Sequence, residues 1–384
     1  MTEERAEVVI IGGGIIGCAT AYELAKLGMT DVIVCEKDYI TAGATGRCGA
    51  GVRQQWGLEM NIRLSRSSYK ILENLNEELD YDGDIEFKQG GYLVLAYSDA
   101  QMEQFRKNVQ LQNRIGTPSR TVTVEEASDI VPHLNTEPLV GATFCPEDGH
   151  ADPFHTTMAY AKAAQRLGVT IKTQTEVTDI EVEGDEVQGV HTADGDFISA
   201  DMVLNAAGPY SGPVADMAGV DIPVYSERHQ ILVTEPVDRY QGPMVISFEH
   251  GIYCQQTPNG SFIMGLGDPN EPKGFDIETS WQFMEHMSHS VLDILPPLAD
   301  LRVVRQWSGL YNITPDAQPI LGGIPGLQGY YMAVGFSGHG FMVGPMTAVL
   351  MAQMMTDTEM DMDISMLDLG RFERGDLIHE PSVV

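Results

Sequence analysis

The sequence predicts an α/β chain with two cores, and three observations carry that reading. First, residues 8–11 form a continuous β-branched run, as expected for a strand buried on both faces of a parallel sheet, and Gly12, Gly14 and Gly17 follow at G-x-G-x-x-G spacing. Second, residues 222–304 alternate like the strands of a largely antiparallel sheet. Third, 384 residues exceed what one hydrophobic core usually holds.

The opening element is the most informative. Ala19, Ala21, Leu24 and Ala25 fall at helical spacing after the glycines, and Gly28 sits where that helix should stop. Strand, tight turn and helix in this order make a dinucleotide-binding unit. Gly12 permits the turn, Gly14 admits a pyrophosphate to the backbone, and Gly17 lets the helix pack close on the strand. The free N–H groups and the positive end of the helix dipole then face the phosphates. A second apolar strand, Val32-Ile-Val-Cys35, ends in Glu36, 19 residues past Gly17. A carboxylate there accepts from both ribose hydroxyls and repels a 2′-phosphate, so FAD or NAD fits better than NADP. The alternative is a glycine-rich turn in an ordinary parallel sheet, against which strand, glycines, helix, strand and acid all fall in order.

Composition narrows the partners. Asp and Glu number 55 against 23 Lys and Arg, for a net charge of −32, which disfavours nucleic acid and anionic membranes. No apolar run approaches the ~20 residues of a membrane span. The charged start, Met-Thr-Glu-Glu-Arg, leads into the first strand, so no signal peptide is expected. Five scattered cysteines without metal spacing point to a reducing, cytoplasmic compartment, with Cys18 and Cys35 as buried thiols. His150 and His155 have no cysteine or acid at ligand spacing, so no metal is expected. The scarcity of lysine gives the hypothesis of a high-salt cytoplasm, where screening suppresses the self-repulsion of such a surface.

Taken in order, residues 41–56 form a loop of small side chains just after Glu36, suited to close contact with a flat ring. Its cations are Arg47 and Arg53. One can pair with a pyrophosphate and the other with a substrate carboxylate, or both are surface arginines of a flexible loop. Helical periodicity covers 60–79, residues 85–96 read as a hairpin, and 99–113 as a polar, exposed helix. Thr123 ahead of Glu125 and Glu126 caps a short helix over 122–131. An amphipathic helix over 155–167, a strand over 169–173 and a hairpin over 177–193 follow. An apolar strand then runs into Asn205-Ala-Ala-Gly208, either a second backbone contact to the cofactor or a plain strand-to-helix turn. Strands over 225–233, 244–248, 251–255 and 261–266, with a helix over 278–295, make a substrate domain. Last, a strand over 331–334 enters a glycine loop and a helix over 345–355, whose N–H groups would stabilise negative charge on a reduced flavin. The tail from Thr356 reads as acidic and solvated.

Together the first glycine motif, Glu36, Asn205-Ala-Ala-Gly208, Thr314-Pro-Asp316 and Gly335-Phe-Ser-Gly-His-Gly340 resemble the D-amino-acid oxidase and sarcosine oxidase superfamily of FAD enzymes, across nearly the whole chain. Residues 46–56 and Ala151-Asp-Pro-Phe154 most resemble the β subunits of heteromeric sarcosine oxidase and of archaeal dye-linked L-proline dehydrogenase. The resemblance implies a discontinuous, Rossmann-like FAD-binding domain (1–85, 145–215 and 325–384). It also implies an α+β substrate domain (86–144 and 216–324) on a large mixed, mostly antiparallel sheet. It implies oxidation of the C–N bond of a small, secondary amino acid such as sarcosine or proline, by hydride transfer to flavin N5, giving an imine. The alternatives are oxidation of a D-amino acid, glycine or a 2-hydroxy acid, or a non-catalytic FAD-binding subunit of a larger complex.

Departures from the pattern refine this. Monomeric sarcosine oxidases carry a flavin-linking cysteine where Gly309 stands, so the resemblance implies noncovalent FAD. Their carboxylate-binding lysine corresponds to Met342, and the substrate-binding arginine of glycine and D-amino-acid oxidases to Tyr311. Carboxylate recognition therefore falls on Arg53, aided by Tyr253 or Tyr311. The FMN-bearing histidine of heteromeric sarcosine oxidase aligns with Ala151, next to His150, which leaves a noncovalent FMN at a subunit interface, within a hetero-oligomer, as an expectation. His339 is either a base or a packing residue in a loop whose N–H groups do the work; His229 and His250 are expected to be structural. Oxidases of the superfamily often place a lysine above the flavin. The run between Lys172 and Lys273 has none, which favours a dehydrogenase without naming its electron acceptor.

The expected cofactor contacts are thus Gly12, Gly14, Ile15, Ile16, Gly17, Glu36, Lys37, Thr45, Gly46, Arg47, Cys48, Val177, Ala207, Gly208, Gly309, Gly338, His339, Gly340, Phe341 and Met342. The expected catalytic and substrate-binding residues are Arg53, Tyr253, Tyr311 and His339.

Overall fold

In the computed structural model, which describes residues 3–381, two eight-stranded sheets share the chain. The first is centred on Glu3–Ile11, which pairs in parallel with Val32–Cys35 on one side and Phe197–Asn205 on the other. Thr170–Lys172 and Leu327–Val334 extend the parallel array outward. The hairpin Val177–Glu183/Glu186–Thr192 and the antiparallel strand Ile320–Ile324 complete it. The central strand shows why an unbroken apolar run was needed: Val8 and Ile10 enter one core, while Ala6, Val9 and Ile11 enter the core on the opposite face. Helices Ile15–Lys26, Glu59–Glu78, Pro153–Arg166 and Gly340–Met355 pack together over the first of these faces.

The second sheet runs in the order Val303–Ile313, Tyr225–Thr234, Phe262–Leu266, Ile252–Gln256, Met244–Ser247, Tyr92–Ala96, Gly141–Cys145, Arg120–Val122. It is antiparallel except where Met244–Ser247 meets Tyr92–Ala96. Alternation again splits the side chains. Leu93, Val245, Cys254 and Leu232 lie under helix Trp281–Leu292, while Tyr92, Met244 and Ile246 face the other way. That second face meets helix Asp99–Ile115 at one end and opens onto the candidate site at the other.

Several sequence expectations are corrected. Residues 85–96 are not a hairpin: Lys88–Gln89 joins a three-stranded sheet with Gly51–Val52 and Gly149–His150, and Tyr92–Ala96 belongs to the large sheet. Helix Asp99–Ile115 is amphipathic rather than exposed, burying Met102 and Phe105. The strand Ile320–Ile324 pairs within the first sheet, so the chain returns there ahead of residue 325. The last long helix begins at Gly340, not at residue 345, and Pro345 lies inside it. Proline removes one helical N–H. There Ser68 Oγ donates to the Val343 carbonyl and accepts from Met346 N, both at 3.0 Å.

The tail is docked, not solvated. Ile364, Leu367 and Ile378 are buried. Arg371, fully buried, forms a two-pronged pair with buried Asp316, with N–O distances of 2.9 and 3.0 Å. It also donates to the carbonyls of Leu367, Asp368 and Gln318. Further on, the Glu380 carboxylate accepts from Gly57 N, Leu58 N and Asn61 Nδ2, at 2.7, 3.0 and 2.9 Å, capping helix Glu59–Glu78 from the far end of the chain. Among the described residues no helix is long and apolar enough to cross a membrane.

Candidate active site

Three clefts open into one another along the seam between the sheets. The middle one, of about 990 Å³, has Gly12, Gly14, Ile15, Ile16, Thr45, Ala207 and Gly208 in its wall. It continues at one end past Glu36 and Arg47 to Lys37, Val177 and Tyr210. At the other it passes Cys48, Tyr253 and Tyr311 into a chamber of about 1240 Å³ with Arg53, Tyr92, His339 and Met342 in its wall.

The glycine turn builds the middle cleft by close approach. Gly12 has φ of +118°, and a Cβ on it would lie 2.4 Å from the Ala206 carbonyl oxygen. A Cβ on Gly17 would lie 2.0 Å from the Gly12 oxygen, so only glycine lets helix meet strand here. Thr45 Oγ1 accepts from Ile15 N at 3.2 Å, bringing the small-residue loop over the helix start. Glu36 is locked on the wall: Oε2 accepts from Gly13 N (2.7 Å) and Oε1 from Asp38 N (2.8 Å). A carboxylate has about four acceptor positions, which leaves others for ribose hydroxyls. Lys37 Nζ lies 3.3 Å from the centre of the Tyr210 ring. Arg47 donates to the carbonyls of Ala42 (3.2 Å) and Ser308 (3.0 Å), clasping the loop to the second sheet.

These features fit an extended anionic dinucleotide. In a chain of 55 acidic residues, neither helix Ile15–Lys26 nor helix Gly340–Met355 carries an acid in its first turn. The positive dipole ends are thus left for another anion. Asn312, in the same wall, has Oδ1 saturated by Ser211 Oγ (2.9 Å) and Gly335 N (2.7 Å), while its buried Nδ2 finds no acceptor among the described residues.

The chamber beyond is organised by one aromatic stack. His229 lies flat against Tyr311, with ring centres 4.4 Å apart and planes 7° apart, and beside Tyr253 at 5.7 Å and 17°. Its Nε2 is 3.2 Å from the Tyr253 hydroxyl. Sheet register makes this possible. His229 faces Gly309 and Tyr253 faces Gly265 on neighbouring strands, and a Cβ on Gly265 would lie 2.4 Å from the Tyr253 hydroxyl oxygen. Burial holds His229 at about 4, so it is neutral at neutral pH, and pushes the Tyr253 phenol well above its usual value, so it keeps its proton.

Arg53 is buried, its guanidinium 3.9 Å from the centre of the Trp56 ring and donating to the Gln55 carbonyl at 3.1 Å. Burial lowers its pKa. His339 meets Trp56 edge-on at 4.6 Å; burial, then the Arg53 charge, holds it at about 3, which makes it neutral rather than cationic. Cys48 stands in the walls of both the cleft and the chamber, its thiol pushed up to about 11 by burial.

Of the expected cofactor contacts, Gly17 and Gly46 are not in the walls. Gly17 acts through packing, and Gly46 is pressed against Thr41, whose oxygen a Cβ would approach to 2.5 Å. His339 and Met342 belong to the far chamber rather than the middle cleft, while Gly309, Gly338, Gly340 and Phe341 reach the middle one. His150 stands outside all three clefts. Sequence reasoning missed His229 as a site residue, along with Asn312, Ser337 and Tyr92. The only signal for His229 was its shared strand face with Glu227 and Ile231; its partners depend on long-range register.

Comparison with known proteins agrees with this geometry. The family profile described as FAD dependent oxidoreductase (DAO) matches residues 7–354. Sarcosine oxidase subunit beta of Arthrobacter sp is 31% identical over 380 residues, covering 97% of this chain and 93% of that protein. The crystal structure of L-proline dehydrogenase from P. horikoshii superposes with a TM-score of 0.92 at 38% identity, covering 98% of this chain and 100% of that one. Mitochondrial dimethylglycine dehydrogenase of Rattus norvegicus is 28% identical over 392 residues, spanning 96% of this chain but 45% of the longer protein. With its glycine turn, the acid that ends the second strand and two acid-free helix starts all inside the matched span, the chain belongs to the DAO family of FAD-dependent oxidoreductases.

Proposed function

We propose that the chain oxidises the C–N bond of a small secondary amino acid, with sarcosine and proline as the first candidates, to the corresponding imine. The observation that carries this is the His229–Tyr253–Tyr311 stack at the junction of cleft and chamber. FAD, when bound, supplies the acceptor for the hydride that leaves the carbon beside nitrogen. The protein's part is alignment. With Nε2 of neutral His229 assigned as acceptor, the Tyr253 hydroxyl donates to it and keeps its oxygen lone pairs for a substrate N–H. The nitrogen lone pair is then free to form the C=N bond as the hydride departs, and the nitrogen's proton passes to solvent. Arg53 supplies positive charge for the substrate carboxylate, and Tyr311 a flat apolar wall. No strong base is needed for an amine that enters deprotonated. His339, neutral and edge-on to Trp56, serves packing.

The residues lining the middle cleft and the chamber include no lysine, which supports transfer to an acceptor other than O2. The subunit name of the Arthrobacter relative supports assembly with other chains. One flavin suffices for this reading, and no observation supports the expected FMN.

The test is an anaerobic titration of FAD-loaded protein with sarcosine, L-proline and a D-amino acid, following flavin absorbance. Bleaching by a secondary amine is expected. Bleaching by the D-amino acid alone, or by none, overturns the proposal.

A further inference from the structure

In the reading above Arg53 meets the substrate carboxylate, so whatever fixes its guanidinium sets how well substrate binds. The neighbouring residues do part of this. Arg53 donates to the Gln55 carbonyl, and Trp56 Nε1 donates back to the Arg53 carbonyl at 3.2 Å. Trp56 is held in turn by Gln112 Nε2, which donates to its carbonyl at 2.8 Å. Gln55 is held by Asp148.

Asp148 lies in the turn between strands Gly141–Cys145 and Gly149–His150 and is fully buried. A buried carboxylate is costly unless its oxygens are met. Both are met by one short segment: Oδ1 accepts from Gln54 N at 2.8 Å and Oδ2 from Gln55 Nε2 at 3.0 Å. The same Nε2 donates to the Tyr92 carbonyl at 3.0 Å. Gln55 thus links Arg53, through its carbonyl, to Tyr92, through its amide, and both of these stand in the chamber wall. Gln55 Oε1 finds no partner among the described residues, so the amide is turned with its donor, not its acceptor, towards the two oxygens.

The main chain of Asp148 has a separate part. Its carbonyl accepts from Gly90 N at 3.2 Å and Gly91 N at 2.7 Å, stapling the approach to strand Tyr92–Ala96. That staple does not depend on the side chain, whose two bonds run instead to the residues next to Arg53. Charge acts along the same line. Burial pushes the Asp148 carboxyl up to about 7, against the pull of the Gln55 and Gln54 donors and then of the Arg53 charge.

We propose that Asp148 is a positioning residue for substrate recognition: through Gln54 and Gln55 it sets where the Arg53 guanidinium meets the substrate carboxylate. The proposal rests on the amine-oxidation reading and adds to it a residue that lines none of the three clefts.

Asp148→Asn is nearly isosteric and keeps the staple, but an amide offers one acceptor oxygen where the carboxylate offers two, so one of the bonds to Gln54 and Gln55 is lost. The concentration of sarcosine or L-proline that gives half-maximal anaerobic flavin reduction should rise about tenfold, the value of one buried charge-assisted bond, while the limiting rate constant stays within about twofold. Gln55→Met, which breaks the relay and keeps the carboxylate, should raise it to a similar extent. In an Arg53→Met background Asp148→Asn should add nothing, because a residue acting through Arg53 then has nothing to position. A readout without turnover is tetrahydrofuran-2-carboxylate, proline with oxygen in place of the ring nitrogen and so without a C–N bond to oxidise. Calorimetry should show it binding both single variants about tenfold more weakly than the wild-type protein. Wild-type affinity in Asp148→Asn and Gln55→Met, or full additivity with Arg53→Met, overturns the proposal and leaves amine oxidation standing. Failure of both amines to reduce the wild-type flavin overturns the amine-oxidation reading, and this inference with it.

Discussion

Replacing Tyr253 with Phe tests the proposed alignment with a single atom. The ring would keep its place across Gly265 and beside His229, since no heavy atom but the hydroxyl oxygen is lost. What disappears is the 3.2 Å contact to His229 Nε2 and, with it, the acceptor offered to the substrate nitrogen. Leaving a buried polar partner unmet costs about 1–3 kcal/mol. At 1.4 kcal/mol per decade, the rate constant for anaerobic flavin reduction should fall about 5- to 150-fold. His229→Phe should give a loss of the same order without adding to that of Tyr253→Phe, because the two act as one unit. The pH profile adds a second readout. Burial holds His229 at about 4, so the imidazole stays neutral and able to accept throughout pH 5.5–8. The reduction rate should therefore show no step assignable to His229 in that range. Stopped-flow reduction by the substrate that bleaches the wild-type flavin measures both quantities. A Tyr253→Phe protein that reduces its flavin at the wild-type rate, or fully additive losses in the double variant, refutes the reasoning.

Gly17→Ala should weaken flavin binding, since a Cβ would lie 2.0 Å from the Gly12 oxygen; overpacking of about 1–3 kcal/mol predicts about 5- to 150-fold weaker FAD affinity by fluorescence titration. Arg371→Met leaves the buried Asp316 carboxylate uncompensated and should lower stability by about 3–5 kcal/mol, seen as a lower urea midpoint. Acid should also destabilise the fold. His229 and His339 are held at about 4 and about 3, below the ordinary 6.5, so between there and pH 6.5 the unfolded chain binds protons the folded one refuses. Stability conferred by their burial is full above 6.5 and declines as pH falls towards 4; His229→Phe/His339→Gln protein should show a shallower loss of melting temperature over that window. With a net charge of −32, the melting temperature should rise from low to molar salt, and a flat response would remove the high-salt hypothesis.

What could be read from the sequence is what short stretches of chain determine by themselves. The run at residues 8–11, the three glycines and Glu36 lie within one strand–turn–helix–strand unit, so spacing alone brought Gly12, Gly14 and Glu36 to the cleft and packed Gly17 against the turn. Thr123 and Glu126 form the capping box for the same reason. Pairing over long separations was not legible. The apolar run at residues 92–96 marks a strand, yet its partners are Gly141–Cys145 and Met244–Ser247, which no local signal names. In the tail, Ile364, Leu367 and Ile378 are too sparse to announce a core among so many acids, and Arg371 finds Asp316 only because the tail folds back.

The same distinction explains which half of the site was missed. The lining of the middle cleft comes mostly from turns, whose glycines are visible in sequence. The chamber instead is made by side chains one above another on adjacent strands, where His229, Tyr253 and Tyr311 meet only if Gly309 and Gly265 fall opposite them. A one-residue slip of strand Tyr225–Thr234 would turn His229 away from the chamber and bring Gln230 towards it. Side-chain bonds resist such a slip: Gln230 Oε1 accepts from Ser280 N and Gln306 Nε2, and Arg228 holds Glu271 and Asp276. Polar anchoring along this strand thus determines which side chains line the chamber.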